Sequence, residues 1–372
     1  MPKKLGPDWV LFLVTLALAI FGVVMVFSSS AVMAKEVHGN PNYFSFKQLM
    51  AATLGLALMF LIMKVDYRKY RNPMVVFSIL AVAIVTLVLV YFLAAAANTH
   101  RWIQFPGFSF QPSELAKVAL VFFLAYFLEK QKGQINNIQF TLLPIALVAG
   151  LMAVLIVMEP DLGTVVAMLM TAAVLMFVAG LDVRWFAVTA VLSTPILYVL
   201  IFSEKYKYRF DRITAFLHPG ADPLGAGYHI NQSLISVGSG GIFGLGYMEG
   251  KQKLFFLPEA HTDFIYAVIG EELGLIGTIA ILVLFSVFLW RGVRTAVKAP
   301  DSFGFYLALG ITMMVAIQAF INMSVVLSLM PTKGIPLPFL SYGGSSFVIM
   351  LASVGILLNI SQQSTQGQMD HI

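Results

Sequence analysis

The chain has 372 residues, of which 59% are hydrophobic and 11% charged, and its mean hydropathy is +0.87. A soluble domain carries about 25% charged residues, so the composition excludes a soluble globular protein and requires an integral membrane one. No cysteine is present, which excludes a disulfide framework, a thiolate metal site and a cysteine nucleophile. The net charge of +5 comes from Lys and Arg in short loops between hydrophobic runs, a pattern of membrane topology that argues against nucleic acid as a partner.

A spanning helix needs about 20 apolar residues. Runs of that kind start near Asp8, Phe46, Met74, Pro112, Phe140, Thr164, Trp185, Phe264, Phe303 and Leu337. They end near Val32, Val65, Leu93, Leu128, Met158, Gly180, Phe202, Trp290, Leu329 and Ile360. The expected fold is an all-α polytopic membrane protein, a single domain over 1–372, with about ten transmembrane helices. The first run follows Lys3 and Lys4, is too long for a signal-peptide core and has no A-x-A site after it, so it is read as an uncleaved helix. With the N-terminus inside, Lys64, Arg68, Lys69, Arg71, Lys130, Lys132, Arg184, Arg291, Arg294 and Lys298 face the cytoplasm. The short loops opposite hold Lys35, Lys47, Arg101 and Lys333, the imbalance that the positive-inside rule describes. Both termini are then cytoplasmic, and one long extracytoplasmic loop, about 203–263, joins the seventh and eighth helices.

The first part of that loop carries Tyr208, Arg209, Arg212, Phe216 and Leu217, the basic and aromatic residues of a helix lying on a membrane surface. Its middle, Gly238 to Gly250, is glycine-rich, but it fits neither the dinucleotide nor the P-loop spacing and follows no strand. It is read as a flexible loop or re-entrant turn.

Ionisable residues beside membrane runs are costly and face a cavity or a partner. Arg101 stands with Trp102 between the third and fourth runs. Glu114 and Lys117, at i and i+3, share one face of the fourth helix. They form either an internal ion pair that fixes packing or a cationic site for an anionic lipid head, with Glu114 orienting Lys117. Glu159 and Asp161 flank Pro160 in a tight turn. Asp161 can cap the next helix, or the two acids face a cavity and bind a cation or a sugar hydroxyl. Thr332 to Ser346 contains two prolines and several small residues, so the entry to the tenth run is irregular, which is tolerated near membrane depth only where protein or a watery cavity receives the polar groups. Ser341, Gly343 and Gly344 would offer hydroxyl and amide donors to a phosphate there, or the stretch is a structural kink. Asp263, just before an apolar run, reads from spacing alone as a helix N-cap, with Glu259 and His261 beside it. Glu271 and Glu272 are adjacent and point about 100° apart, so at least one faces the bundle. No H-E-x-x-H or G-x-S-x-G occurs, which leaves a zinc enzyme or a serine hydrolase unsupported.

Four motifs in order, QPSELAK (Gln111–Lys117), EPDLGT (Glu159–Thr164), LPEAHTDFIYAVIGEELG (Leu257–Gly274) and GIPLPFLSYGGSS (Gly334–Ser346), resemble the SEDS family of FtsW, RodA and SpoVE peptidoglycan polymerases over nearly the whole chain. Thr332-Lys333-Gly334 and the VMVFSSSAVMA of the first run are similar to the division branch, FtsW. Gly227-Tyr228-His229 and the following Gly-Ser-Gly-Gly are similar to the elongation branch, RodA; the balance leans to FtsW. The resemblance implies polymerisation of lipid II on the outer face of the bacterial cytoplasmic membrane, with Asp263, the aspartate of the family's HTDF motif, tied to catalysis. A positioned carboxylate suits a general base, and Arg101 and Lys117 suit the departing diphosphate, with Ser341 and its neighbouring glycines as further donors and Glu259 and His261 as tuning groups. The implied partners are a class B penicillin-binding transpeptidase and other divisome or elongasome membrane proteins. The sequence requires no cofactor; Glu159, Asp161 or Asp263 would suit Mg²⁺ or Mn²⁺ beside a diphosphate, though no dedicated cage is visible. A lipid II flippase and a non-enzymatic division scaffold are the competing readings.

Overall fold

The computed structural model of the chain describes residues 6–93, 101–105, 108–203, 207–218, 222, 225 and 227–363. The apolar runs become helices because a backbone in lipid has to satisfy its own hydrogen bonds. They are α1 (Trp9–His38), α2 (Tyr43–Lys64), α3 (Pro73–Leu93), α4 (Pro112–Lys130), α5 (Leu143–Met158), α6 (Leu162–Val178) and α7 (Val183–Phe202). The long loop contributes α8 (Lys207–Leu217) and α9 (Tyr228–Ser239), and the chain closes with α10 (Ile265–Val297), α11 (Ser302–Val326) and α12 (Gly344–Gln362). Seven spans among the described residues are long and apolar enough to cross a membrane: α1, α2, α3, α5 with its preceding π turn, α10, α11 and α12. The other runs are helical too, but α4 carries Glu114, Lys117, Glu129 and Lys130, and α6 has only 17 residues. One short antiparallel hairpin, Ile103–Phe105 with Phe108–Phe110, departs from the all-α expectation. It forms where apolar and polar residues alternate on either side of Pro106–Gly107.

Helices α4, α11 and α12 are the buried centre, whereas α1, α2, α3 and α5 keep broad apolar faces outward, as lipid-facing helices do. At one end of the bundle Asp8 caps α1 by accepting the Leu11 N–H, and it pairs with Arg291 of α10 at 2.6 Å. The proposed site lies at the other end.

Helix α10 is broken at Gly274 (φ 66, ψ −160), a conformation open essentially to glycine alone. The glycine-rich segment of the loop supplies the hydrogen bonds lost there. The N–H groups of Leu245 and Gly246 donate to the carbonyls of Glu271 and Glu272, both at 3.0 Å. Those of Leu275 and Ile276 donate to Gly241 and Ile242. The segment is therefore strapped to the helix at the break. Glu271 and Glu272 fasten the strap from the side-chain side, and both are buried. Glu271 accepts the N–H groups of Lys251 (2.7 Å) and Gln252 (3.1 Å). Glu272 pairs with Lys253 at 2.6 Å and accepts from Ser28 of α1 and the Met248 N–H. The two acids brace the loop.

Candidate active site

Asp263 stands at the head of α10, yet it does not cap it. The N-cap is Phe264, which makes no side-chain cap hydrogen bond, so the carboxylate that spacing assigned to the helix is left for the space in front. The backbone around it is pinned from two sides. Ser341 Oγ donates to the Thr262 carbonyl, and the Tyr342 N–H donates to the His261 carbonyl at 2.9 Å. Asn322 of α11 donates from one Nδ2 to both the Asp263 and Ile335 carbonyls, at 2.7 Å each. That single amide ties the HTDF turn to the proline-rich entry of α12. A Cβ on Gly334 would lie 2.6 Å from Asp263 Oδ2, so glycine at that position leaves the carboxylate its room.

In front of Asp263 is a cavity of about 540 Å³. Its polar lining includes Arg101, Gln111, Asp161, Arg209, Arg212, Glu259, Lys333 and Ser346, and its apolar side wall is Leu162 and Val166 of α6, Ile201 of α7 and Ile213 of α8. A second chamber of about 400 Å³ adjoins it and shares Asp263, Glu259, Arg212 and Lys333 with it. Asp263 sits where the two meet. Its carboxylate makes no ion pair or hydrogen bond with the described residues. Burial, then the charges of Glu259 and Asp161, push it up to about 7, against the opposing pull of Arg101 and Arg212.

Arg101 is placed by its own hydrogen bonds: Nε donates to the Glu159 carbonyl at 2.8 Å and Nη2 to that of Pro160. Arg209 and Arg212, three residues apart on α8, flank the Tyr208 ring at 5.5 and 5.7 Å. Of the residues expected to rest on a membrane surface, Tyr208, Arg209 and Arg212 line the cavity, while Leu217 is exposed; burial, with Arg209 nearby, pulls the Lys333 ammonium below its ordinary value. Arg209, Arg212, Lys333, Thr332, Gln111 and His229 are the site residues that sequence reasoning did not assign. The i, i+3 spacing of the two arginines was the available signal.

Of the expected residues, Arg101, Asp161, Glu259, Asp263 and Gly343 line the cavity, and Glu114, Lys117, Glu159, His261, Ser341 and Gly344 do not. Lys117 is 2% exposed, paired with Glu114 at 2.9 Å and bonded to Gln318. Both partners hold the ammonium within the bundle, and Lys117 is not among the residues that line the cavity. Glu114 in turn accepts from Ser346 at 2.9 Å, so the pair supports the cavity floor from behind. Asp161 caps α6, accepting the Thr164 N–H (3.1 Å) and hydroxyl (2.8 Å). Glu159 is fully buried, and neither carboxylate oxygen finds a hydrogen-bond partner among the described residues. Burial and Asp161 push it up to about 9, against the opposing pull of Arg101. His261 packs its ring on Phe44 and Tyr342, away from the cavity. Ser341 spends its hydroxyl on the Thr262 carbonyl. Among the described residues no group of three His, Asp or Glu gathers as a metal cage.

A family model described as "Cell cycle protein" (FTSW_RODA_SPOVE) matches residues 8–366. A probable peptidoglycan glycosyltransferase FtsW of Geobacter metallireducens is 46% identical over 357 residues, 95% of this chain and 94% of the relative. The stage V sporulation protein E of Bacillus subtilis is 44% identical over 364 residues, 97% and 99% of the two chains. Among solved structures, a chain of a peptidoglycan synthase complex that coordinates polymerization and crosslinking superposes with a TM-score of 0.77 at 27% identity, over 95% of this chain and 97% of that one. The rod shape determining protein RodA of Thermus thermophilus superposes with a TM-score of 0.71 at 26% identity, over 98% and 100%.

Proposed function

We propose that this chain, which belongs to the FtsW/RodA/SpoVE (SEDS) family, is a peptidoglycan glycosyltransferase that polymerises lipid II with Asp263 as its general base. The observation that carries this reading is a carboxylate without a partner among the described residues, raised to about 7, at the junction of two chambers and opposite Arg101, Arg209, Arg212 and Lys333.

The reaction joins a sugar hydroxyl of one lipid-linked disaccharide to the anomeric carbon of another. The new C–O bond forms as the bond to the lipid diphosphate breaks, the hydroxyl proton passes to Asp263, and direct displacement inverts the anomeric carbon. A base held in place contributes typically about 10²–10⁴-fold. The diphosphate leaves with growing negative charge, and cations already fixed at the site stabilise that charge without reorganising. The apolar wall between α6 and α7 suits the lipid that the diphosphate carries. FtsW-named relatives at 43–46% identity favour the division role over elongation, and the match to a synthase complex favours a penicillin-binding transpeptidase as partner. The basic loops favour cytoplasmic termini and an outward-facing cavity. A transporter of the same lipid needs a mid-membrane site reached from both sides, whereas the described lining residues here come from the Asp263 end.

The test is synthesis of glycan strands from lipid II by the purified protein with its transpeptidase partner. Asp263→Asn is expected to lose at least about 10²-fold while keeping its folded elution profile; polymerisation at the wild-type rate by that variant overturns the assignment.

A further inference from the structure

We infer that the second chamber seats the terminal sugar of the acceptor, and that His229 is the residue that holds it against Asp263. The inference rests on Asp263 as the base, and it assigns to His229 a contact with substrate.

The two chambers differ in chemistry where they do not overlap. The first adds Arg101, Arg209 and an apolar wall, which fit a lipid diphosphate. Among the described residues, the second adds Asp211, Gly225, His229 and Phe264. An acid, an imidazole and an aromatic ring form the usual equipment for a sugar, whose hydroxyls both donate and accept. His229 lies in the first turn of α9, and its ring stacks on Phe264, the residue after Asp263, with centroids 5.9 Å apart and planes at 23°. Helix α9 is itself anchored: Ser233 donates to the Val326 carbonyl at 2.7 Å and Ser236 to that of Ala267 at 3.1 Å. The imidazole is thus held on rigid helix beside the base. Burial, then the Arg212 guanidinium, pull it below its ordinary value against the smaller opposing effect of Glu259. A neutral imidazole offers one N–H and one lone pair, which suits a hydroxyl that is about to lose its proton elsewhere.

The sugar-seat assignment is tested with two probes on the full-length protein with its partner. One is a soluble N-acetylglucosamine–N-acetylmuramic acid disaccharide without lipid or diphosphate, used to compete with lipid II. The other is undecaprenyl diphosphate, whose binding reports the first chamber. His229→Phe, which keeps the ring stack but has no polar atom, is expected to weaken competition by the disaccharide about tenfold, the loss of a hydrogen bond. Binding of undecaprenyl diphosphate should stay within about twofold, well under the same hydrogen-bond loss. His229→Gln, which restores a donor and an acceptor, should recover most of the disaccharide competition. Unchanged competition by the disaccharide in His229→Phe overturns the assignment, as does parallel loss of both probes that glutamine does not rescue. Asp263→Asn is expected to bind both probes and join nothing. If Asp263→Asn polymerises, the base has been misassigned, and the disaccharide competition still decides the seat.

Discussion

A base with its carboxylate raised to about 7 leaves a signature in the pH dependence of the rate. Only ionised Asp263 accepts the proton, so kcat/KM should climb tenfold per unit below about pH 7 and level off above it, whereas an ordinary aspartate would place that limb near pH 4. Glu259 contributes to the upward push. Glu259→Gln should therefore move the limb to lower pH, and a limb that stays in place in that variant disproves the coupling. Glu159 gives the opposite prediction. With burial pushing its carboxyl up to about 9, Glu159→Gln should retain activity and thermal stability at neutral pH, and a clear loss of either would show that the carboxylate is charged there. Asp161→Ala removes the α6 cap and should cost about 1 kcal/mol in thermal unfolding. Single residues were the hardest thing to read from the chain. Asp161 and Asp263 both stand just ahead of a helix and look alike in sequence. One spends its carboxylate on Thr164, and the other is displaced from the cap by Phe264, a distinction set by the pinning of the HTDF turn from Ser341, Tyr342 and Asn322.

The elements were easier to read, because about 20 apolar residues in a row can satisfy their backbone in lipid only as a helix. What the pattern did not carry was the break in α10 and the strap beside it. Those hydrogen bonds run between backbone groups of residues 241–246 and 271–276, and backbone pairing leaves no side-chain periodicity. Gly274 is where the break can be tested. A Cβ there would stand 2.4 Å from the Gly244 nitrogen and 2.6 Å from the Ile242 oxygen, at a φ that other residues avoid. Gly274→Ala should cost about 1–3 kcal/mol in stability and lower polymerisation by displacing the half-helix that begins after Asp263. The Glu114–Lys117 pair calls for a different comparison. Lys117→Met alone strands a buried carboxylate, at a cost of about 3–5 kcal/mol, while Glu114→Gln with Lys117→Met removes both charges and should recover much of the loss. A double variant that is as stable as wild type but inactive would return Lys117 to the substrate.

At the scale of the whole molecule, the outstanding feature is that α7 is loosely held. None of its described side chains is buried, and it packs chiefly on α8, the helix that brings Arg209 and Arg212 to the cavity. Val166 of α6 and Ile201 of α7 also both belong to the apolar wall of the cavity. A lipid-linked substrate whose head lies in the cavity and whose tail stays in the membrane has to pass such a wall, and a weakly packed helix is the side that yields at least cost. The chain contains no cysteine, so a pair introduced as Val166→Cys and Ile201→Cys is the sole target of a flexible bifunctional thiol reagent. Joining the two should stop lipid II polymerisation, whereas each single-cysteine variant treated with the same reagent should remain active. Full activity of the joined protein would mean that the substrate enters elsewhere and that the exposure of α7 serves another purpose. A loss shared by the single variants would assign the effect to bulk in the cavity. Arrest confined to the joined protein would make the separation of α6 and α7 part of the catalytic cycle.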